Sequence, residues 1–393
     1  MRDRAALRFV VLLGLVSLLA DVTYEGARSI TGPYLNLLGA SAVAVGLVAG
    51  AGELIGHALR LVSGYATDRT RAYWLPTIAG YTVNLAAVPL LALAGRWEIA
   101  AALMILERTG KAIRTPARDV MLSHATRTLG RGWGFGLHEA MDQIGALAGP
   151  LVVAAALART GRYQVGFALL AIPALLALGA LLAAWRTAPH PERFEPRGLS
   201  LAGRDLPRAF WLYAAACGLM AAGFVDFPLI AFHLRSAALA GNTAIPLLYA
   251  LAMGADAVAA LVFGRLFDRH GIQVLAAGAV CAAASTPLAF LGGFPMAVAG
   301  MTLWGAALGA QESILRAAVA GLAPPERRGA AYGVFSFCFG VSWFAGSAAM
   351  GYLYGVSRIA LAALSVVLQL LAMALLTHLA KLRGPGARRR RGG

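Results

Sequence analysis

The sequence predicts an all-α membrane protein of twelve transmembrane helices arranged as two six-helix halves. Three observations carry that prediction. The 393 residues are 59% hydrophobic and only 13% charged, with a mean hydropathy of +0.70, whereas soluble domains carry about 25% charged residues because a polar shell must face water. Apolar runs of the length a helix needs to cross a bilayer, about 20 residues, recur along the chain with short polar breaks. The pattern of the first half also returns in the second at a nearly constant offset. The sequence lacks the short alternating segments of a membrane β-barrel, and forty-six glycines without long polar runs argue against disorder.

The spans fall near 8–36, 42–66, 73–94, 97–119, 132–157, 163–185, 208–233, 243–267, 272–292, 295–320, 330–354 and 358–381. The first carries Asp21, Glu25 and Arg28, lacks a small-residue cleavage site and runs into the second, so it reads as a span and not as a signal peptide. Between the spans the basic residues alternate. They cluster before span 1 (Arg2, Arg4, Arg8), after span 2 (Arg69, Arg71), around the 4–5 turn (Arg114, Arg118, Arg127, Arg131) and in the 6–7 loop. They cluster again after span 8 (Arg265, Arg269), near the 10–11 turn (Arg316, Arg327, Arg328) and in the tail. Twenty-five of the 34 lysines and arginines fall on that side and five on the other. Cytoplasmic loops collect arginine and lysine, so both termini are expected inside a prokaryotic cytoplasmic membrane. The net charge of +16 is then topological; the Arg388–Arg391 run reads as a solvated tail, and no nucleic-acid partner is expected. Cys217, Cys281 and Cys338 lie in apolar runs and read as buried thiols.

The loop at 186–207, with Pro189, Pro191 and Pro196, divides the chain. The expected organisation is an N-terminal bundle at 1–185, a cytoplasmic linker at 186–207, a C-terminal bundle at 208–382 and a basic tail at 383–393. Gly64-x-x-x-Asp68-Arg69 after span 2 returns as Gly264-x-x-x-Asp268-Arg269 after span 8, and Arg131-Gly132-x-x-x-Gly136 returns as Arg328-Gly329-x-x-x-Gly333. Matched segments at equivalent places indicate a six-plus-six duplication, an architecture found in transporters.

With twelve spans, a central loop and the loop motif in both halves, the chain resembles the major facilitator superfamily over essentially its whole length. Gly64, Asp68, Arg69 and Arg71 match the family's loop motif except at Thr70, where a glycine is usual. The resemblance implies that this loop, its second copy at Gly264, Asp268 and Arg269, and the Arg118–Asp119 pair act as gating latches on the cytoplasmic side. Gly136, Gly145, Gly149 and Pro150 in span 5 are similar to a pattern associated in this superfamily with proton-coupled antiporters, although Val153 and Ala154 stand where a closing pair of glycines is expected. The plainer reading of these glycines is close helix packing. Gly110-Lys111-x-Ile113-Arg114-x-Pro116-x-Arg118-Asp119 and Phe135-Gly136-x-His138-x-x-x-Asp142 together resemble a prokaryotic subgroup that includes magnetosome-associated members, for which iron transport has been proposed.

Ionisable side chains at bilayer depth cost at least about 2.5–3.5 kcal/mol each on insertion scales, so they face partners or a cavity. Asp21, Glu25 and Arg28 share one face of span 1, and Glu53, His57 and Arg60 share one face of span 2. Glu107, Lys111, Arg114 and Arg118 form a stripe down span 4, and His138 and Asp142 sit one turn apart in span 5. Each stripe carries both signs, so local neutralisation is expected. A carboxylate in a desolvated cavity can load and release a proton, which makes Glu53 and Asp142 the first candidates for proton coupling, with His57, His138 and Glu107 beside them. Asp21, Glu25, Arg28, Arg60, Lys111, Arg114, Gln143 and Asp256 are candidates for a solute cavity, with Tyr24, Trp133, Trp304, Trp343 and Phe335 as aromatic lining. Structural ion pairs between helices are the competing explanation for any one of them. Glu53, His57, His138, Glu139 and Asp142 have donor types a metal accepts if spans 2 and 5 face each other, but no tight metal site and no cofactor is expected.

These features point to a monomeric secondary transporter working by alternating access on a small solute, with protons as the coupling ion and export favoured. No nucleotide-binding P-loop stands in the sequence, and no Ser/His or H-E-x-x-H constellation indicates an enzyme. A proton symporter or uniporter importing a metal chelate or small organic solute is the alternative within transport. A membrane sensor or scaffold is the alternative outside it.

Overall fold

The structure, a computed structural model, describes residues 2–125, 131–189, 206–323 and 328–382. Expectations placed on Arg127, on most of the 186–207 linker and on the 383–393 tail lie outside these residues, as do those on the side chains of Asp68, Arg131, Trp133 and Arg316. The described chain is helical nearly throughout, without a strand. The helices are α1 (Arg2–Leu37), α2 (Ala42–Thr70), α3 (Trp74–Leu90), α4 (Trp97–Ala125), α5 (Arg131–Thr160), α6 (Tyr163–Leu169) and α7 (Ala171–Thr187). They continue as α8 (Arg208–Gly223), α9 (Phe227–Ser236), α10 (Ala244–His270), α11 (Leu275–Leu291), α12 (Phe294–Leu322), α13 (Arg328–Val356) and α14 (Arg358–Leu382). Nine helical stretches among the described residues are long and apolar enough to cross a membrane. The charge-rich α4 is not one of them, and the stretch Ala244–Leu291 joins α10 and α11 through a 3-10 turn.

Local chemistry explains several boundaries. Ser41 starts α2 by accepting a hydrogen bond from the Ala44 amide at 3.2 Å, a standard N-cap arrangement. Arg71 ends it in the left-handed region at φ 55°, its amide bonded to the Thr67 carbonyl. Two expected spans are interrupted. The sixth breaks at Leu170, between α6 and α7, and Pro173 then stands in the first turn of α7 without an amide hydrogen to give. The seventh opens at Phe224–Asp226, just before Pro228 near the start of α9. The opened backbone leaves the Val225 carbonyl to accept from the Trp304 indole at 2.8 Å.

The chain forms two compact units. One comprises positions up to 198 together with Asp226–Met253, the other positions 199–225 together with 254–393. In the first, α1 packs against α5, α7 and α9, while α4 packs against both α2 and α3. A Cβ on Gly80 would stand 2.7 Å from the Arg114 amide nitrogen and the Gly110 carbonyl, so only two facing glycines let α3 and α4 cross this closely. A Cβ on Gly145 would meet the Leu18 carbonyl and lie 2.8 Å from Asp21 Cβ, and one on Gly149 would lie 2.7 Å from the Gly26 amide. Gly136 has open space at that position among the described residues. Phe9, Leu13, Val16, Tyr81, Leu85 and Met121 anchor a buried apolar cluster in this unit. The 226–253 segment is held here as well: Gly32 backs directly onto the Pro228 carbonyl, and the Tyr163 hydroxyl donates to Asn242 Oδ1 at 2.7 Å.

The second unit repeats the packing pairs. Its α8 takes the place of α1, against α13 and α14, and α11 packs on α12 and α14. Gly346 meets Ala222 and Gly278 meets Ala310 where Gly145 and Gly80 make the corresponding crossings. An aromatic row fills its interior: Tyr213, Phe335, Phe339, Trp343, Phe224 and Trp304 succeed one another at ring separations of 5.3–5.8 Å. Cys217 is buried, while Cys281 and Cys338 are half-buried, so only the first is the fully sequestered thiol expected.

Candidate functional site

The first unit gathers the charged side chains. Arg28 on α1, Glu53 on α2 and Glu107 and Arg108 on α4 line a cavity, together with Tyr24, Asp226 and apolar side chains from α2, α3 and α4. One oxygen of Glu53 faces both guanidiniums, Arg28 Nη2 at 3.4 Å and Arg108 Nη2 at 3.3 Å. These three side chains are only 16–17% exposed. A Cβ on Gly52 would lie 3.1 Å from Arg108 Cγ, so the glycine makes room for Arg108 to run along α2 toward Glu53. Arg108 Nε reaches Glu107 Oε2 at 3.5 Å. Asn84, brought close by the Gly80–Gly110 crossing, donates to Glu107 Oε1 at 2.6 Å.

A second group lies deeper along α1, α4 and α5. Lys111 Nζ sits 3.6 Å above the Tyr24 ring and the Arg114 guanidinium 4.0 Å above the Tyr81 ring, cation–π contacts that add to the attraction of the carboxylates nearby. Asp21 lies within electrostatic reach of Asp142, Lys111, Arg114 and Glu25. His138 Nδ1 faces Asp142 Oδ2 at 3.5 Å. Arg118 donates to Asp119 at 2.8 Å and to the Ser17 hydroxyl at 2.9 Å. Glu25 accepts a short hydrogen bond from the Tyr249 hydroxyl on α10.

The expected residues therefore separate. Arg28, Glu53 and Glu107 come together on the cavity wall, with His57 within reach of Glu53. Asp21, Lys111, Arg114, His138 and Asp142 form the deeper group, with Gln143 hydrogen-bonded to Glu139. Arg60 lies one turn beyond His57 on half-buried α2 surface and does not line the cavity. Asp256 is buried in the second unit against the backbone of Gly309 and does not line it either. Trp304, Trp343 and Phe335 belong to the second unit's aromatic row; of the described aromatic candidates only Tyr24 lines the cavity. Because α2 packs on α4 and α5 on α1, the carboxylate and imidazole of α2 stand apart from those of α5. No group of three or more His, Cys, Asp or Glu among the described residues is arranged to hold a metal. Neutralisation is partly local, as expected, with Arg108 beside Glu107, Arg118 beside Asp119 and His138 one turn from Asp142, whereas the ion pairs of Glu53 run to α1 and α4. Of the loop residues, a Cβ on Gly64 would lie 3.7 Å from Pro116 and one on Gly264 3.9 Å from Ser313, while Arg69 bonds the Tyr65 hydroxyl and Asp268 and Arg269 are exposed.

Arg108, Asn84, Ser17 and Tyr249 were not expected in the site. Arg108 and Asn84 carry a signal, being a charge and an amide at mid-span; a stripe read from Glu107 by single turns passes Arg108 by. Tyr249 carries none, because its partner is more than two hundred residues away in sequence.

Comparison with known proteins agrees with this architecture. The sequence pattern of the Major Facilitator Superfamily matches residues 13–347 and 227–392. An uncharacterized protein of Mycobacterium tuberculosis is 45% identical over 379 residues, covering 95% of this chain and 93% of that protein. An uncharacterized MFS-type transporter of Methanocaldococcus jannaschii is 35% identical over 148 residues, 37% of each chain. Among solved structures, the nucleoside transporter NupG superposes with a TM-score of 0.73 at 14% identity over 96% of this chain and 99% of that one. The peptide transporter POT with sulfate does so with 0.75 at 16% identity over 95% of each. The chain belongs to the Major Facilitator Superfamily and is a multi-pass membrane protein of the secondary-transporter class, not an enzyme.

Proposed function

We propose that the chain crosses the cytoplasmic membrane twelve times with both termini inside, acts as a monomer, and moves a small solute by alternating access coupled to protons. The halves at 1–185 and 208–382 are joined by the 186–207 linker and alternate access to the solute, and the Asp68 and Asp268 loops steady the cytoplasmic ends. The observation that carries this reading is Glu53 held between Arg28 and Arg108 on the wall of a cavity at bilayer depth. Charges this costly to insert are retained where they handle a cargo. Asp142, beside His138 and within reach of Asp21, is the proton-loading carboxylate, in the part of the bundle whose charges the helix-4 and helix-5 patterns supply. Gly145 and Gly149 also serve close packing against α1; export, which the glycine pattern suggests, is the favoured direction, and proton symport is the alternative.

The test is a thermal-shift screen of the purified protein against metals, chelates, drugs and sugars at two pH values. Stabilising compounds then go into proteoliposomes containing a trapped pH indicator. Solute-dependent proton movement is expected, and Asp142→Asn should abolish its dependence on the pH gradient. Solute binding without any flux would support a sensor or scaffold instead.

A further inference from the structure

We propose that the first unit's cavity takes a small monocarboxylate with an apolar body, and that the anion binds by displacing the Glu53 carboxylate from Arg28 and Arg108 while Glu53 takes up a proton from solution. This rests on the reading of the cavity as the solute site and names the solute.

Glu53 is the loosely held acid on this wall. Both guanidiniums approach the same oxygen at 3.3 and 3.4 Å, longer than the roughly 2.7–2.9 Å of a tight charge-assisted bond. Glu107, by contrast, is fixed by Asn84 at 2.6 Å. Removing Glu53 from its place frees Arg28 Nη2 and Arg108 Nη2, edges of planar guanidiniums whose geometry matches a carboxylate, while Arg108 Nε stays on Glu107. Arg28 Nε is already buried without a hydrogen-bond partner among the described residues. The rest of the wall is largely apolar, with Val48, Ala49, Val88, Leu91 and Met104. The head of the solute is therefore anionic and its body apolar.

Charge balance selects a monoanion. Glu53 is within reach of Arg28 from α1, His57 from its own helix and Arg108 and Lys111 from α4; its two arginines are in turn within reach of Glu25, Glu107 and Asp226, and the neutral Asn84 from α3 is on Glu107. One carboxylate entering as one proton joins Glu53 leaves the net charge of this set unchanged. A dianion would add a negative charge beside Glu107 and Asp226. A cation would leave both guanidiniums on Glu53 and would compete with Asn84 and Arg108 for Glu107.

The test uses the full-length protein in detergent with acetate, hexanoate and benzoate at millimolar concentration, and benzylamine and benzamide as cationic and neutral matches. At least one carboxylate should raise the melting temperature, and in weakly buffered solution its binding should be accompanied by uptake of one proton. Glu53→Gln should bind the same carboxylate several-fold more tightly with no proton uptake. Arg28→Lys, which keeps the charge and loses the fork, should weaken binding by about tenfold or more. Stabilisation by benzylamine alone, carboxylate binding without proton uptake, or no response to any of the three carboxylates would overturn the proposal. If solute-driven proton flux is found with other compounds, the transport reading survives that failure. If a carboxylate binds with proton uptake but nothing is transported, the binding inference stands and the transport reading falls.

Discussion

The Glu53–Arg108 contact allows the most direct energetic check. Two unit charges 3.3 Å apart attract by about 5 kcal/mol at an effective dielectric near 20. Desolvation of both groups offsets much of that, and Glu53 divides its attraction between two arginines. We therefore expect a coupling of about 1–3 kcal/mol between Glu53 and Arg108. The measurement is a double-mutant cycle of Glu53→Gln, Arg108→Gln and the double variant, followed by thermal unfolding of the detergent-purified protein without added solute. Each single variant strands a buried charge and should melt earlier, Glu53→Gln the more so because it strands two guanidiniums. The double variant should be less destabilised than the sum of the singles. Additivity within about 0.5 kcal/mol would refute the claim that Glu53 organises the cavity wall and would leave these charges as independent surface groups.

Two further outcomes follow from the packing and the hydrogen bonds. Gly110→Val places a branched side chain where a Cβ alone would already lie 2.6 Å from the Gly80 carbonyl; overpacking should destabilise the protein by about 1–3 kcal/mol, and crosslinking between cysteines placed on α3 and α4 should report the widened crossing. Tyr249→Phe deletes the hydroxyl that donates to Glu25 and strips a buried carboxylate of a donor; the loss should be about 1–3 kcal/mol, read as an earlier melting transition, and unchanged melting would remove that bond from the account.

Much of the fold was legible because a bilayer constrains sequence more tightly than water does. Every backbone amide in the hydrocarbon must be bonded within its own helix, so apolar length locates most of the helices, while the charge-rich α4 falls short of that measure among the described residues. The two interruptions were harder to see, because each depends on a tertiary partner. The Phe224–Asp226 opening is stabilised by a Trp304 side chain eighty residues away, and no local pattern reports that. The glycines at 145 and 149 were readable as packing positions from their i, i+4 spacing, whereas Gly136, matching the same pattern, meets nothing among the described residues. Within the site, spacing found the charged faces and the His138–Asp142 pair, but not the pairing of Glu53 with Arg28 and Arg108. A helical stripe says which side chains share a face, yet Glu53 meets partners on α1 and α4 that depend on how three helices are juxtaposed. The grouping of Asp226–Met253 with the first unit was equally out of reach, since a duplication read from sequence assigns those residues to the second half.

Why the charges concentrate as they do follows from the same energetics. A solitary ion in hydrocarbon is expensive, and an ion pair sealed in a dry core gains little over well-packed apolar side chains. Charges kept at bilayer depth in unequal, shared contacts are therefore poorly explained by stability alone. Glu107 behaves as a structural carboxylate would, with a short amide hydrogen bond and a neighbouring guanidinium. Glu53 does not: it divides one oxygen between two arginines at distances that satisfy neither fully, on a wall where a solute could reach them. On the proposed reading that arrangement permits an exchange, in which the same two forks hold an outside carboxylate in place of Glu53. A site that binds cargo and must also release it needs near-degeneracy between the two, since a ligand held much better than its internal substitute would not leave.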